Sequence, residues 1–199
     1  MDLNPHHPFQ KFTVEAFNQP ENQKILLALQ KDYGINPNIF LFNCWVAQTG
    51  RGRLTKKQTY QVITAVYPWH EQVVLSLHNI CQMVLKQSKL IKQLHEQIRA
   101  EEYTADIMEQ LMIIESLPEL IAKPRSLKQQ INHCLKNLTT YAQELHIHFD
   151  NYDCNKICKL LATIFPKIHY NSLIAQCQKT LLNKKIQIDA PNKQTRLLL

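Results

Sequence analysis

The sequence predicts an all-α protein, a helical bundle with one long central helix and a C-terminal helical hairpin. Three observations carry that prediction. The 199 residues include only three glycines, too few for turn-rich β architectures or for glycine loops that cradle phosphates. Apolar residues recur at three- and four-residue spacing along most of the chain. Prolines and Ser/Thr–Gln pairs fall where such runs begin, as helix starts require.

Taken in order, Phe9, Phe12 and Ala16 follow Pro8 as a short first helix. Pro20 opens a second, with Ile25, Leu26, Leu29 and Tyr33 on one side and Gly34 placed for a left-handed cap. The third, from Pro37 to about Gln48, is apolar all round and is expected at the centre of the N-terminal core. Thr55 with Gln58 forms a capping box for a fourth, expected to end before Pro68.

The long helix is expected to run from about Trp69 to Arg99. Val73, Leu77, Ile80, Val84, Ile91, Leu94 and Ile98 make a heptad-like seam, interrupted at Gln87. Glu101, Glu102, Asp106, Glu109, Glu115 and Glu119 follow with no intervening Lys or Arg, which predicts a helix with Ile107, Leu111 and Ile114 inward and an acidic face outward. Ser126 with Gln129 starts the next helix, whose seam of Ile131, Leu135, Leu138, Ala142, Leu145 and Phe149 is a natural antiparallel partner for the long one. Two shorter helices carry Ile157, Leu160, Leu161 and Ile164, then Leu173, Ile174, Cys177 and Leu181. Residues 1–100 thus read as an N-terminal helical bundle including the long helix, 101–182 as a C-terminal helical region, and 183–199 as a flexible tail.

No apolar run reaches the roughly 20 residues that cross a bilayer, and the N-terminus lacks the pattern of a signal peptide, so a cytoplasmic setting is expected. The six cysteines sit among apolar neighbours, as buried reduced thiols do. The net charge of +7 comes mainly from lysine, whereas nucleic-acid readers rely on arginine forks.

His146, His148, Asp150, Asp153, Cys154 and Cys158 are residue types zinc accepts, but their spacing matches no zinc knuckle. No nucleophile elbow, Walker loop, metalloprotease helix or dinucleotide fingerprint occurs. The reading therefore assigns no catalytic residue, no metal and no cofactor. Arg51 and Arg53, with Lys56 and Lys57, form the tightest basic patch, in a loop suited to an anion or an acidic segment. Trp45 and Trp69 are either core anchors or aromatic contacts in a partner groove.

One resemblance adds to this. Gln30 with Gly34, Asn38-Ile39-Phe40-Leu41-Phe42, Trp45, the Gly50 to Leu54 element, Trp69 and Val73-Val74 follow in order the pattern of an uncharacterised family of short proteobacterial proteins. The resemblance covers about Phe9 to Lys86, leaves out the chain from about Tyr103, and implies no activity. It departs from the family where arginines tend to follow the paired valines; here stand His78, Cys81 and Gln82. Composition and layout also resemble the small helical adaptors of the Dot/Icm type IVB coupling complex.

The function expected from these features is a non-enzymatic adaptor, a secretion-system adaptor or chaperone in one concrete version, that binds an amphipathic or acidic segment of another protein chain. Its contact residues would be Trp45, Arg51, Arg53, Trp69, Leu77, Val84 and Ile91. The alternative is a nucleic-acid or ribosome-associated basic protein.

Overall fold

A computed structural model describes residues 7–85 and 91–182. Among them every regular element is helical and no strand occurs, so the fold is all-α. The helices are α1 (Pro8–Phe17), α2 (Pro20–Tyr33), α3 (Pro37–Gln48), α4 (Lys56–Trp69), α5 (Leu75–Leu85), α6 (Lys92–Glu115), α7 (Leu127–Glu144), α8 (Asn151–Ile164) and α9 (Tyr170–Leu181), with a π-helical turn, His70–Val74, joining α4 to α5. The start signals act as the sequence predicts. Pro8, Pro20 and Pro37 each stand in a first turn, where a missing N–H costs nothing. The boxes at Thr55/Gln58 and Ser126/Gln129 both form, and Asp150/Asp153 makes a third at α8. Gly34 caps α2 at φ 68°.

Helix α3 is the centre: every residue from Pro37 to Ala47 is buried. It packs chiefly against α7, which also meets α4 and α9, while α8 lies between α2 and α9. The core is one continuous cluster from Phe9 to Cys177, built from both ends of the chain. All six cysteines are buried free thiols.

Three expectations about the middle of the chain are corrected. The single helix from Trp69 to Arg99 does not form. His78 and Glu102 lie 24 positions apart, about 36 Å along one helix at 1.5 Å per residue. Their side chains nevertheless meet at 2.7 Å, and Cys81 Sγ stands 3.3 Å from His95 Nε2. The chain therefore doubles back, and α5 pairs with the first half of α6. The two parts of the seam thus lie on two paired helices, with Ile80 and Leu94 exposed and the other seam residues half-buried, and α5 and α6 pack on each other rather than chiefly on α7. Gln87, the expected interruption, and the tail from Asn183 lie outside the described residues.

The fourth helix also runs through Pro68 to Trp69 rather than stopping before it. A proline inside a helix disrupts its hydrogen-bond ladder, and a wider π-helical turn follows directly. Contacts to α6 compensate: the Trp69 indole N–H donates to the Ala105 carbonyl at 3.0 Å, and His70 meets Glu109. Lastly, the acidic stretch is not simply a solvated face, because Glu109 is fully buried.

The basic loop between α3 and α4 is anchored rather than loose. The Gly50 carbonyl accepts from the Lys123 amide at 3.1 Å and from Arg125 Nε at 3.0 Å. Gly50 sits at φ 76°, and a Cβ there would lie 2.2 Å from the Lys123 carbonyl oxygen. Gly50→Ala should therefore lower stability by about 2–3 kcal/mol through left-handed strain plus a backbone clash. Urea unfolding checks it, and a loss below about 0.5 kcal/mol would show that the loop can yield.

Candidate functional site

The first half of α6 and all of α5 form an arm. The continuous core contains no residue between Val66 and Ile113, and α5 packs against α6 and the π-helical turn. Of the arm's apolar side chains, Cys81 is buried and Leu77, Val84, Ile91 and Ile98 are half-buried. Its outer side carries Met83 at 61% exposure, Leu94 at 49% and Ile80 at 39%.

At the root of the arm lies a buried polar cluster. Asn36 is the N-cap of α3, its side-chain oxygen accepting from the Asn38 and Ile39 amides. Its Nδ2 donates to Glu109 Oε1 at 2.8 Å, and Asn38 Nδ2 donates to Glu109 Oε2 at 2.6 Å. His70 Nδ1 stands 2.8 Å from Glu109 Oε1. An ionised Glu109 only accepts, so His70 Nδ1 then carries the proton of that contact, and Asn36 Nδ2, 2.9 Å from the same nitrogen, donates to Glu109 rather than to His70. The Glu109 carboxylate thus takes three hydrogen bonds from two other segments, the α3 start and the π-helical turn. The network continues outward: Gln110 Nε2 donates to Asn38 Oδ1, and Thr13 Oγ1 of α1 donates to Gln110 Oε1. On the other side the Asn36 amide donates to the Tyr141 hydroxyl of α7 at 3.0 Å. This cluster ties α1, α3, α6 and α7 together where the arm leaves the body.

Asp106 adds a second carboxylate one turn before Glu109. Burial first, and then the neighbouring Glu109 charge, push its carboxyl up to about 6, against the partial relief of a hydrogen bond from Asn38. A carboxyl raised in the folded state binds its proton more tightly there than in the unfolded chain. Its favourable contribution is therefore complete below pH 3.8 and is lost as pH rises to about 6. Asp106→Asn keeps the acceptor and removes the charge. It should raise stability at pH 7.5 by on the order of 2 kcal/mol and flatten the pH dependence between about 4 and 6. Denaturant melts across that range check it; an unchanged slope would show that Asp106 does not carry this dependence.

The sequence-predicted contact residues fall in three places. Trp45 is buried in the core against Phe9 and Phe42, with the Arg51 guanidinium 4.3 Å over its ring. Trp69 is half-buried at the arm's root, and Arg53 is exposed on the anchored loop. Leu77, Val84 and Ile91 belong to the arm. The structure thus brings the last three together and separates them from Trp45, Arg51 and Arg53. Asn36 and His70 do not stand out from sequence, Asn38 enters only as the head of the family-like run, and Glu109 only as one member of the acidic face. Two signals point to them: Asn36 directly before Pro37 is a cap position, and Ala105, Glu109 and Ile113 share one face at spacing four.

Among the described residues, no group of three or more His, Cys, Asp or Glu side chains is arranged to hold a metal ion. No helix among them is long and apolar enough to cross a membrane.

A family model described as a protein of unknown function, DUF2390, matches residues 9–113, more than half of the chain. The chain belongs to this family. The match starts at Phe9 as the resemblance predicts, but runs past Lys86 and Tyr103 to Ile113. The family region therefore takes in the whole arm and nearly all of its polar root, Tyr141 being the exception. No curated protein and no solved structure matches the chain. The likeness to type IVB coupling adaptors accordingly rests on composition and layout alone.

Proposed function

We propose that the protein is a non-enzymatic helical adaptor that binds an amphipathic segment of another protein chain along the α5–α6 arm. One observation carries this reading: the arm stands outside the continuous core yet keeps Ile80, Met83 and Leu94 exposed beside the half-buried Leu77, Val84 and Ile91. Apolar residues grouped on a projecting two-helix element are what an amphipathic segment needs for helix-in-groove docking. The Glu109 cluster supports the reading by fixing the arm's angle to the body, so that binding need not order it. A role as secretion-system adaptor or chaperone is a specific form of the same proposal.

The test is affinity purification from the native cell of the unaltered chain and of a Met83→Asp/Leu94→Asp variant. A stable co-purifying chain that the variant loses, with helicity unchanged, is the expected result. Recovery of no partner, or equal recovery by both, would sink the proposal.

A further inference from the structure

A second feature lies away from the arm, on the α7–α9 side of the body. A cleft of about 690 Å³, within the range of small-molecule sites, opens between the basic loop, α7, the start of α8 and the end of α9. Its lining is mixed: Arg53, Lys136 and Gln143 stand in it together with Ile147, Phe149 and Leu182.

The cationic part of the lining is built rather than incidental. Asn137, fully buried on α7, accepts from the Leu54 amide at 2.9 Å and donates to the Gly52 carbonyl at 3.3 Å. Those bonds grip the backbone on both sides of Arg53, whose side chain lines the same cleft as that of Lys136, the residue before Asn137. Gly52 at φ 101° allows the turn, and a Cβ there would lie 2.9 Å from the Arg125 guanidinium. Arg53, Arg125 and Lys136 all act on His133 strongly enough to disfavour its protonation, after burial. One acid, Asp150, lines the same cleft, its carboxylate accepting from the Asp153 amide as the α8 cap, while Glu144 pairs with Lys56 at 3.4 Å. Among the described residues, the Arg53, Lys136 and Gln143 side chains make no hydrogen bond or ion pair.

We infer that this cleft binds a small anionic amphiphile, with a phosphate or carboxylate head at Arg53 and Lys136 and an apolar body against Ile147, Phe149 and Leu182. Two cations that are not ion-paired among the described residues share the cleft with apolar side chains, which favours a ligand carrying both properties over a bare ion or a neutral one. This goes beyond the adaptor reading and stands or falls separately from it.

Calorimetric titration with octyl phosphate, octanoate, octylammonium and inorganic phosphate, each below its aggregation limit, tests it. Octyl phosphate and octanoate are expected to bind saturably, octylammonium not at all, and inorganic phosphate far more weakly than octyl phosphate. Arg53→Ala/Lys136→Ala should weaken octyl phosphate about tenfold or more with helicity unchanged. Binding of octylammonium as tight as that of octyl phosphate, full affinity in the double variant, or no saturable binding of either anion would overturn the inference.

Discussion

Glu109→Ala is expected to cost about 3–5 kcal/mol, the range for breaking a buried charged network on one side only. The loss comes less from the deleted bonds than from what they leave behind. Asn36 Nδ2, Asn38 Nδ2 and the His70 ring nitrogen all lose the Glu109 acceptor, leaving Asn36 only its 2.9 Å contact with His70 Nδ1 and Asn38 only its 3.3 Å bond to Asp106, and each buried donor left short of an acceptor carries its own desolvation cost. Glu109→Gln separates charge from shape: it preserves volume and one acceptor oxygen but turns the other position into a donor facing a donor. It should fall between alanine and the unaltered chain. Urea unfolding measures both, and a loss under about 1 kcal/mol for alanine would mean that water fills the gap and the cluster is not a structural joint.

Leu138→Asp is expected to abolish folding. Leu138 is fully buried on α7, the helix that packs on the central α3. A carboxylate there loses the leucine's packing and buries a charge with no partner, together more than about 4 kcal/mol against a total stability of about 5–15. Leu77→Asp is the contrast. Leu77 occupies the equivalent place in the other sequence seam but is only half-buried on the arm, so the charge can reach water and the cost should stay near 1–2 kcal/mol. Circular dichroism and thermal melts distinguish them. Equal loss of structure in both variants would mean that the arm is an integral part of the core.

These two variants also mark where sequence patterns suffice. Spacing of three and four located the apolar faces of α2, α7 and α8, and the cap chemistry of Pro8, Pro20, Pro37, Thr55 and Ser126 located the starts of α1, α2, α3, α4 and α7, because both signals are local. Pairing between helices is not local. The seam from Val73 to Ile98 has the same period whether it continues as one helix or folds back on itself, and contacts such as His78 with Glu102 have no counterpart in periodicity. Glu109 shows the same limit in another form. Six acidic residues in a row of turns read as a solvated face, yet the three buried donors contributed by distant segments make one of them a core residue. Pro68 failed as a stop signal for a related reason: tertiary bonds from Trp69 and His70 hold the chain helical beyond it.

A photo-reactive residue introduced on the exposed side of the arm tests the proposed partner surface most directly. One variant carries it at Met83; a control carries it at Tyr152, equally exposed but on α8 in the body. Irradiation in the native cell should join the position 83 variant to one discrete second chain and leave the position 152 variant unjoined. No adduct from position 83, or the same adduct from both positions, would contradict the account.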